Sequence, residues 1–164
     1  MRISIILIFS FLSVLFAQTQ LGSDIDGEAA SDYSGWSVSL DSDGDRVAIG
    51  AYANDGTAKD AGHVRIYEYS GGSWSQLGSD IDGEAADDQS GWSVSLDKDG
   101  DRVAIGARYN DGTGTNAGHV RVYEYSGGSW SQLGSDIDGE AANDWSGTAV
   151  SLNSDGDRVA IGAS

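Results

Sequence analysis

The sequence predicts an all-β protein, a β-propeller built from four-stranded antiparallel blades. Three observations lead there. The phrase LGSDIDGEAA opens at Leu21, Leu77 and Leu133, a repeat of 56 residues, and a fixed period of this size marks a propeller, a solenoid or an array. Within each unit, apolar and polar residues alternate over short runs, and Gly- and Asp-rich turns separate the runs. The repeats carry no helical periodicity with caps. A β-solenoid is the structural competitor, but its coils are usually far shorter than this unit, and the calcium-binding nonapeptides of β-rolls are absent.

The elements follow in chain order. Residues 1–17 read as a secretory signal peptide: Met1-Arg2 is a positive start, and Ile3 to Phe16 is apolar apart from Ser4, Ser10 and Ser13. The small Ala17 then precedes the polar QTQ. This run is shorter than the ~20 residues of a membrane span; an uncleaved anchor is the alternative. Residues 18–164 are read as the propeller, in units 21–76, 77–132 and a partial 133–164. In the first unit Trp36, Val38 and Leu40 alternate with Ser37 and Ser39 on one strand, and DSDGD is a turn with Asp43-Gly44 at its tip. Val47 and Ile49 lie on a second strand. The loop YANDGTAKDAG leads to Gly62 and to a third strand, HVRIYEY. There Val64 and Ile66 face one way, and His63, Arg65, Tyr67 and Tyr69 face the other. SGGS is a Gly-Gly hairpin turn, and a fourth strand is expected from Trp74 to about Ile81. Small Ser37, Ser39 and Ala48 on one blade are expected to let the Trp-Val-Leu face of a neighbour approach closely. About two and a half blades cannot close a ring, which takes at least about four. The chain therefore reads as truncated, with further copies of the unit as its expected partners.

Composition limits the partners. The net charge is −17 and all 26 Asp and Glu follow residue 17, so nucleic acid and anionic lipid are disfavoured. Cations, basic partners or simple solubility suit such a surface. With no Cys, an exported chain of this kind has no disulfides, so its stability comes from packing or bound ions. No transmembrane span is expected after the signal.

The order SGWSVSL, VAIGA, GHVRIYEY within each unit resembles the FG-GAP repeat of integrin-alpha-type β-propellers, and more closely the FG-GAP-like repeats of large secreted bacterial proteins. Gly35, Ser37 and Val38 match the family's first strand, with Gly91, Ser93 and Val94 in the next unit. Gly50-Ala51, Gly106-Ala107 and Gly162-Ala163 match its Gly-Ala, and Gly62, Val64, Ile66 and Tyr67 its third strand. Ser34, Ser90 and Ser146 stand at the Phe position, and Tyr52, Arg108 and Ser164 at the Pro position. The resemblance implies a propeller used outside the cell for adhesion or protein binding. It also implies calcium in the loop between the first two strands.

Two sets of candidate site residues emerge. Asp41, Asp43 and Asp45 occupy alternate positions in the first turn, as do Asp97, Asp99 and Asp101 in the second; the third has Asn153, Asp155 and Asp157. Hard cations take several oxygen ligands at such spacing, so these turns are candidate Ca2+ sites, and a plain Asp-Gly turn is the competing reading. SDIDGE, with Asp24, Asp26 and Glu28, is a second acidic phrase that could ligate a cation across a loop. The other set comes from the nine positions at which the first two units differ. Seven of these, Ser31/Asp87, Tyr33/Gln89, Tyr52/Arg108, Ala53/Tyr109, Ala58/Gly114, Lys59/Thr115 and Asp60/Asn116, fall in two loops that emerge at one end of a blade. Tyr33, Tyr52, Lys59, Arg108 and Tyr109 are the candidate binding residues, since Tyr and Arg suit contact hot spots.

Catalysis finds little support. His63 and His119 are equivalent positions and look architectural, and nucleophile and metalloprotease motifs are absent. The expected function is a secreted or cell-surface, non-catalytic module that binds an extracellular protein or glycan. An extracellular propeller hydrolase or lyase with its site elsewhere, and a passive stalk, are the alternatives.

Overall fold

A computed structural model describes residues 19–164; the signal peptide read in residues 1–17 lies outside them. The described residues form twelve strands and no helix, so among them no helix is long and apolar enough to cross a membrane. The first sheet holds β1 (Ser37–Leu40), β2 (Arg46–Ala51), β3 (His63–Ser70), β4 (Ser73–Gln76) and β5 (Ile81–Asp82). The second holds β6 (Ser90–Leu96), β7 (Arg102–Ala107), β8 (His119–Ser126), β9 (Ser129–Gln132) and β10 (Ile137–Asp138). A third pair, β11 (Ala149–Leu152) and β12 (Val159–Gly162), begins the next sheet. The order is β1-β2-β3-β4, with β5 on the β4 side of β3, and every pairing is antiparallel. These are two blades and the inner hairpin of a third, a partial β-propeller.

The expected fourth strand is broken into β4 and β5. The second blade breaks in the same way between β9 and β10, and glycines in the left-handed region, Gly78 at φ 77° and Gly134 at φ 74°, mark both places; Trp130 Nε1 donates to the Leu77 carbonyl at 2.7 Å beside the first. A Cβ on Gly78 would meet Trp130 Cδ1 at 2.9 Å, whereas one on Gly134 would meet nothing within 4 Å, so the chain's own turn takes it out of the ladder, which it rejoins at Ile81, opposite Val64. The first sheet thus ends at Asp82, inside the second printing of LGSDIDGE. Blade and sequence unit are offset.

The core lies between blades. Cross-strand register puts Ser37, Ser39, Ala48, Gly50, Val64 and Ile66 on one face of the first blade. Ala48, Val64, Ile66 and Ile81 pack against Val94, Leu96, Val103, Ile105 and Tyr123 of the second. Small side chains make this approach possible, as the sequence suggests. Ser37 Oγ donates to the Gly91 carbonyl at 2.7 Å, and Ser39 Oγ accepts from Leu96 N–H at 2.9 Å. Ser93 and Ser95 repeat both contacts against the third unit. Gly50 is required here, because a Cβ would stand 2.2 Å from the Gly91 carbonyl oxygen.

Candidate binding face

The two variable loops are locked together at one end of each blade. Asn54 Nδ2 donates to the buried Asp32 carboxylate at 2.8 Å, and Ala53 N–H donates to the Asp32 carbonyl at 3.3 Å. Asn110 and Asp88 make the same pair at 2.9 Å. Each loop also grips the next blade: Asp87 N–H donates to the Lys59 carbonyl and Gln89 N–H to that of Asp60. Loops tied in this way present side chains from a fixed frame.

An aromatic row runs along this end. Tyr33 stacks on Tyr52 with centroids 5.1 Å apart and planes at 11°. Tyr52 meets Trp36 at 5.1 Å and Trp92 at 5.0 Å. The Arg108 guanidinium lies 3.1 Å from the Trp92 centroid and 4.3 Å from that of Tyr109, a cation–π arrangement. Gln89 Oε1 accepts from Arg108 Nε at 3.0 Å. Burial against the rings pulls the Arg108 pKa below its ordinary value, and the nearby Tyr109 and Tyr52 push the other way. Tyr109 then reaches Trp145 of the third unit at 6.0 Å. Tyr33 and Trp145 are exposed, as is Trp36.

The backbone aims these side chains at some cost. Tyr33, Gln89 and Trp145 hold equivalent positions, with φ of 55°, 58° and 51°. A non-glycine residue pays on the order of 1–2 kcal/mol for such a left-handed conformation. Strain repeated at three equivalent positions marks a place where the loop is over-determined by its surroundings.

Four of the five candidate binding residues, Tyr33, Tyr52, Arg108 and Tyr109, therefore come together. Lys59 stands apart from the row. It bonds Asp60 and bridges to Asp87 Oδ1 at 2.8 Å, and these carboxylates hold its ammonium above its ordinary pKa. Sequence comparison of the first two units missed Trp36 and Trp92, which are identical between them. It also missed Trp145, which the comparison of all three copies at the Tyr33 position would have revealed.

The acidic turns lie at the opposite end. Asp41 Oδ1 accepts the Arg46 N–H and Asp97 Oδ1 the Arg102 N–H, both at 3.1 Å. Asn153 does the same for Arg158 at 2.9 Å. A hydrogen bond from Asp41, then burial and the charge of Asp43, raise the Asp45 pKa. Asp43, Asp99, Asp101 and Asp157 complete the turns. Lys98 Nζ reaches Asp155 Oδ1 at 2.8 Å and holds that carboxyl below its ordinary value. Arg46 Nη1 donates to the Asp99 carbonyl at 3.3 Å, so successive turns are stitched to one another.

A family model described as the FG-GAP repeat matches residues 24–67 and 80–123. No curated protein matches the chain.

Proposed function

The chain belongs to the FG-GAP repeat family, and from that premise we propose that it is a secreted or cell-surface propeller module that binds an extracellular protein or glycan without catalysing a reaction on it. FG-GAP repeats occur in extracellular or surface proteins, and the family is generally non-enzymatic. The observation that carries the reading is the row from Tyr33 through Tyr52, Trp92, Arg108 and Tyr109 to Trp145. Tyr, Trp and Arg are the residues most enriched where binding energy concentrates. Tyr and Trp offer large apolar area with few rotamers to freeze and a polar edge for specificity, and Arg adds a planar, charged fork of donors. Blades that bury their other faces against each other leave this end free to vary, which is where the first two units differ most.

The test replaces Tyr33, Tyr52, Arg108 and Tyr109 with Ala together. Circular dichroism should be unchanged, while binding to immobilised glycans and extracellular matrix proteins should fall at least tenfold, about 1.4 kcal/mol and modest for hot-spot losses. Unchanged binding by this variant, with loss on altering Asp43 and Asp99, would put the binding surface at the wrong end.

A further inference from the structure

Two printings of the acidic phrase SDIDGE meet around each buried histidine. Glu84, from the second printing, and Asp136, from the third, both face His119 of β8. Glu28, Asp80 and His63 repeat the arrangement one unit earlier. Asp24 and Asp26, neighbours of Glu28 in the phrase, are not part of either group.

His119 is 1 % exposed, and its Nδ1 has no hydrogen-bond partner. That atom lies 3.9 Å from Glu84 Oε2 and 3.7 Å from Asp136 Oδ2. His63 Nδ1 lies 3.8 Å from Glu28 Oε2 and 3.7 Å from Asp80 Oδ2. These separations are too long for hydrogen bonds. They are close to the spacing of ligands around a metal, since bonds of about 2.1 Å at a tetrahedral centre put ligand atoms roughly 3.4 Å apart. In each group the three ligand atoms lie within 4.8 Å of one another.

Each carboxylate is also held by its other oxygen. Arg121 Nη1 stands 3.3 Å from Glu84 Oε1, and Gln132 Nε2 donates to Asp136 Oδ1 at 2.7 Å. Gln76 does the same for Asp80 at 2.6 Å, while Glu28 Oε1 faces Arg65 Nη1 at 3.7 Å and its Oε2 accepts from Asn54 Nδ2 at 3.4 Å. Partners of this kind orient metal ligands before the ion arrives.

We propose that Glu84, His119 and Asp136 form a zinc site, and that Glu28, His63 and Asp80 form a second. One imidazole and two carboxylates suit a first-row divalent ion better than calcium, which takes oxygen ligands alone. The two carboxylates balance its charge. Three protein ligands leave a fourth position for water or for a donor atom from a partner.

The full chain, stripped with chelator and refilled with excess calcium to occupy the acidic turns, is titrated with zinc by calorimetry. Two ions should bind per chain. Cobalt in place of zinc should give visible d–d bands. Glu84→Gln with Asp136→Asn, at partly exposed positions, should weaken one site at least about tenfold and spare the other. His119→Ala should remove one ion, and His63→Ala with His119→Ala both. The variant lacking the aromatic row should keep both ions, which separates this site from the binding face. No zinc uptake by the folded chain overturns the proposal. So does uptake that Glu84→Gln with Asp136→Asn leaves unchanged, and this test holds even where the histidine variants fail to fold.

Discussion

Asp97 sits at the base of the second acidic turn, 4 % exposed. Burial pushes its carboxyl above the ordinary 3.8; the Arg102 amide opposes that, and Asp101 and Asp99 add to it. A group whose folded pKa is raised this way contributes most below 3.8, and its contribution is lost as pH rises through the folded value. Asn accepts the same N–H in the third unit, at Asn153. Asp97→Asn should therefore keep the turn, remove that loss and melt no lower than the parent chain at neutral pH. Thermal melts from below pH 3.8 to neutrality check this; a lower-melting variant with an unchanged pH profile would contradict it. Calcium at these turns predicts the reverse order in the same experiment. A site filled at a hundred times its dissociation constant adds about 2.7 kcal/mol to the parent, and less to the Asn variant. Identical melts in calcium and chelator would remove the ion from the turns.

The strands show how one sequence acquires two environments. Val38 and Leu40 on β1 are 63 % and 60 % exposed, while Val94 and Leu96, their equivalents on β6, are 9 % and 6 % exposed. The phrase is identical; only the presence of a blade in front differs. Burying such a side chain stabilises by about 1.5–3 kcal/mol. Leu96→Ala should accordingly cost about 2–5 kcal/mol in urea unfolding, and Leu40→Ala about 0.5 kcal/mol or less. Equal costs would mean that the two blades do not pack as described. The strand-end glycines belong to the same scale: Gly106 meets the Gly147 carbonyl as Gly50 meets that of Gly91.

At the scale of the molecule, the blades form a one-dimensional stack in which each supplies the surface that its neighbour buries. Stability in such arrays is close to a sum of unit and interface terms. A chain given one more copy of the 56-residue unit before Leu21 should bury Val38 and Leu40. Its melting temperature should rise, with Leu40→Ala becoming as costly as Leu96→Ala. A melting temperature unmoved by the added unit would show that the outer face of the first blade does not accept the Ser-Ala face of another. The same stacking aligns the loops of successive units, and a row of rings crosses three units although each contributes only a few residues.

The sequence by itself determined the strands, because alternation and turn chemistry are local. Val64 and Ile66 facing away from His63 and Arg65, the Asp-Gly and Gly-Gly turns, and the Ser-Ala face that lets blades approach were all legible in it. So was the end of the blade at which the units vary. Strand alternation ran the fourth strand through the break at Gly78; its recurrence at Gly134, with no indole beside it, ties the break to the left-handed glycine. Trp36 and Trp92 were hidden among identical positions, since a comparison of copies reports difference and not proximity. The grouping of Glu84, His119 and Asp136 was equally out of reach. Its members lie on separate stretches of chain, and only antiparallel pairing and the offset between blade and repeat bring their ligand atoms together. Tertiary structure decided these last two points, because they depend on distances in space that no repeat spacing encodes.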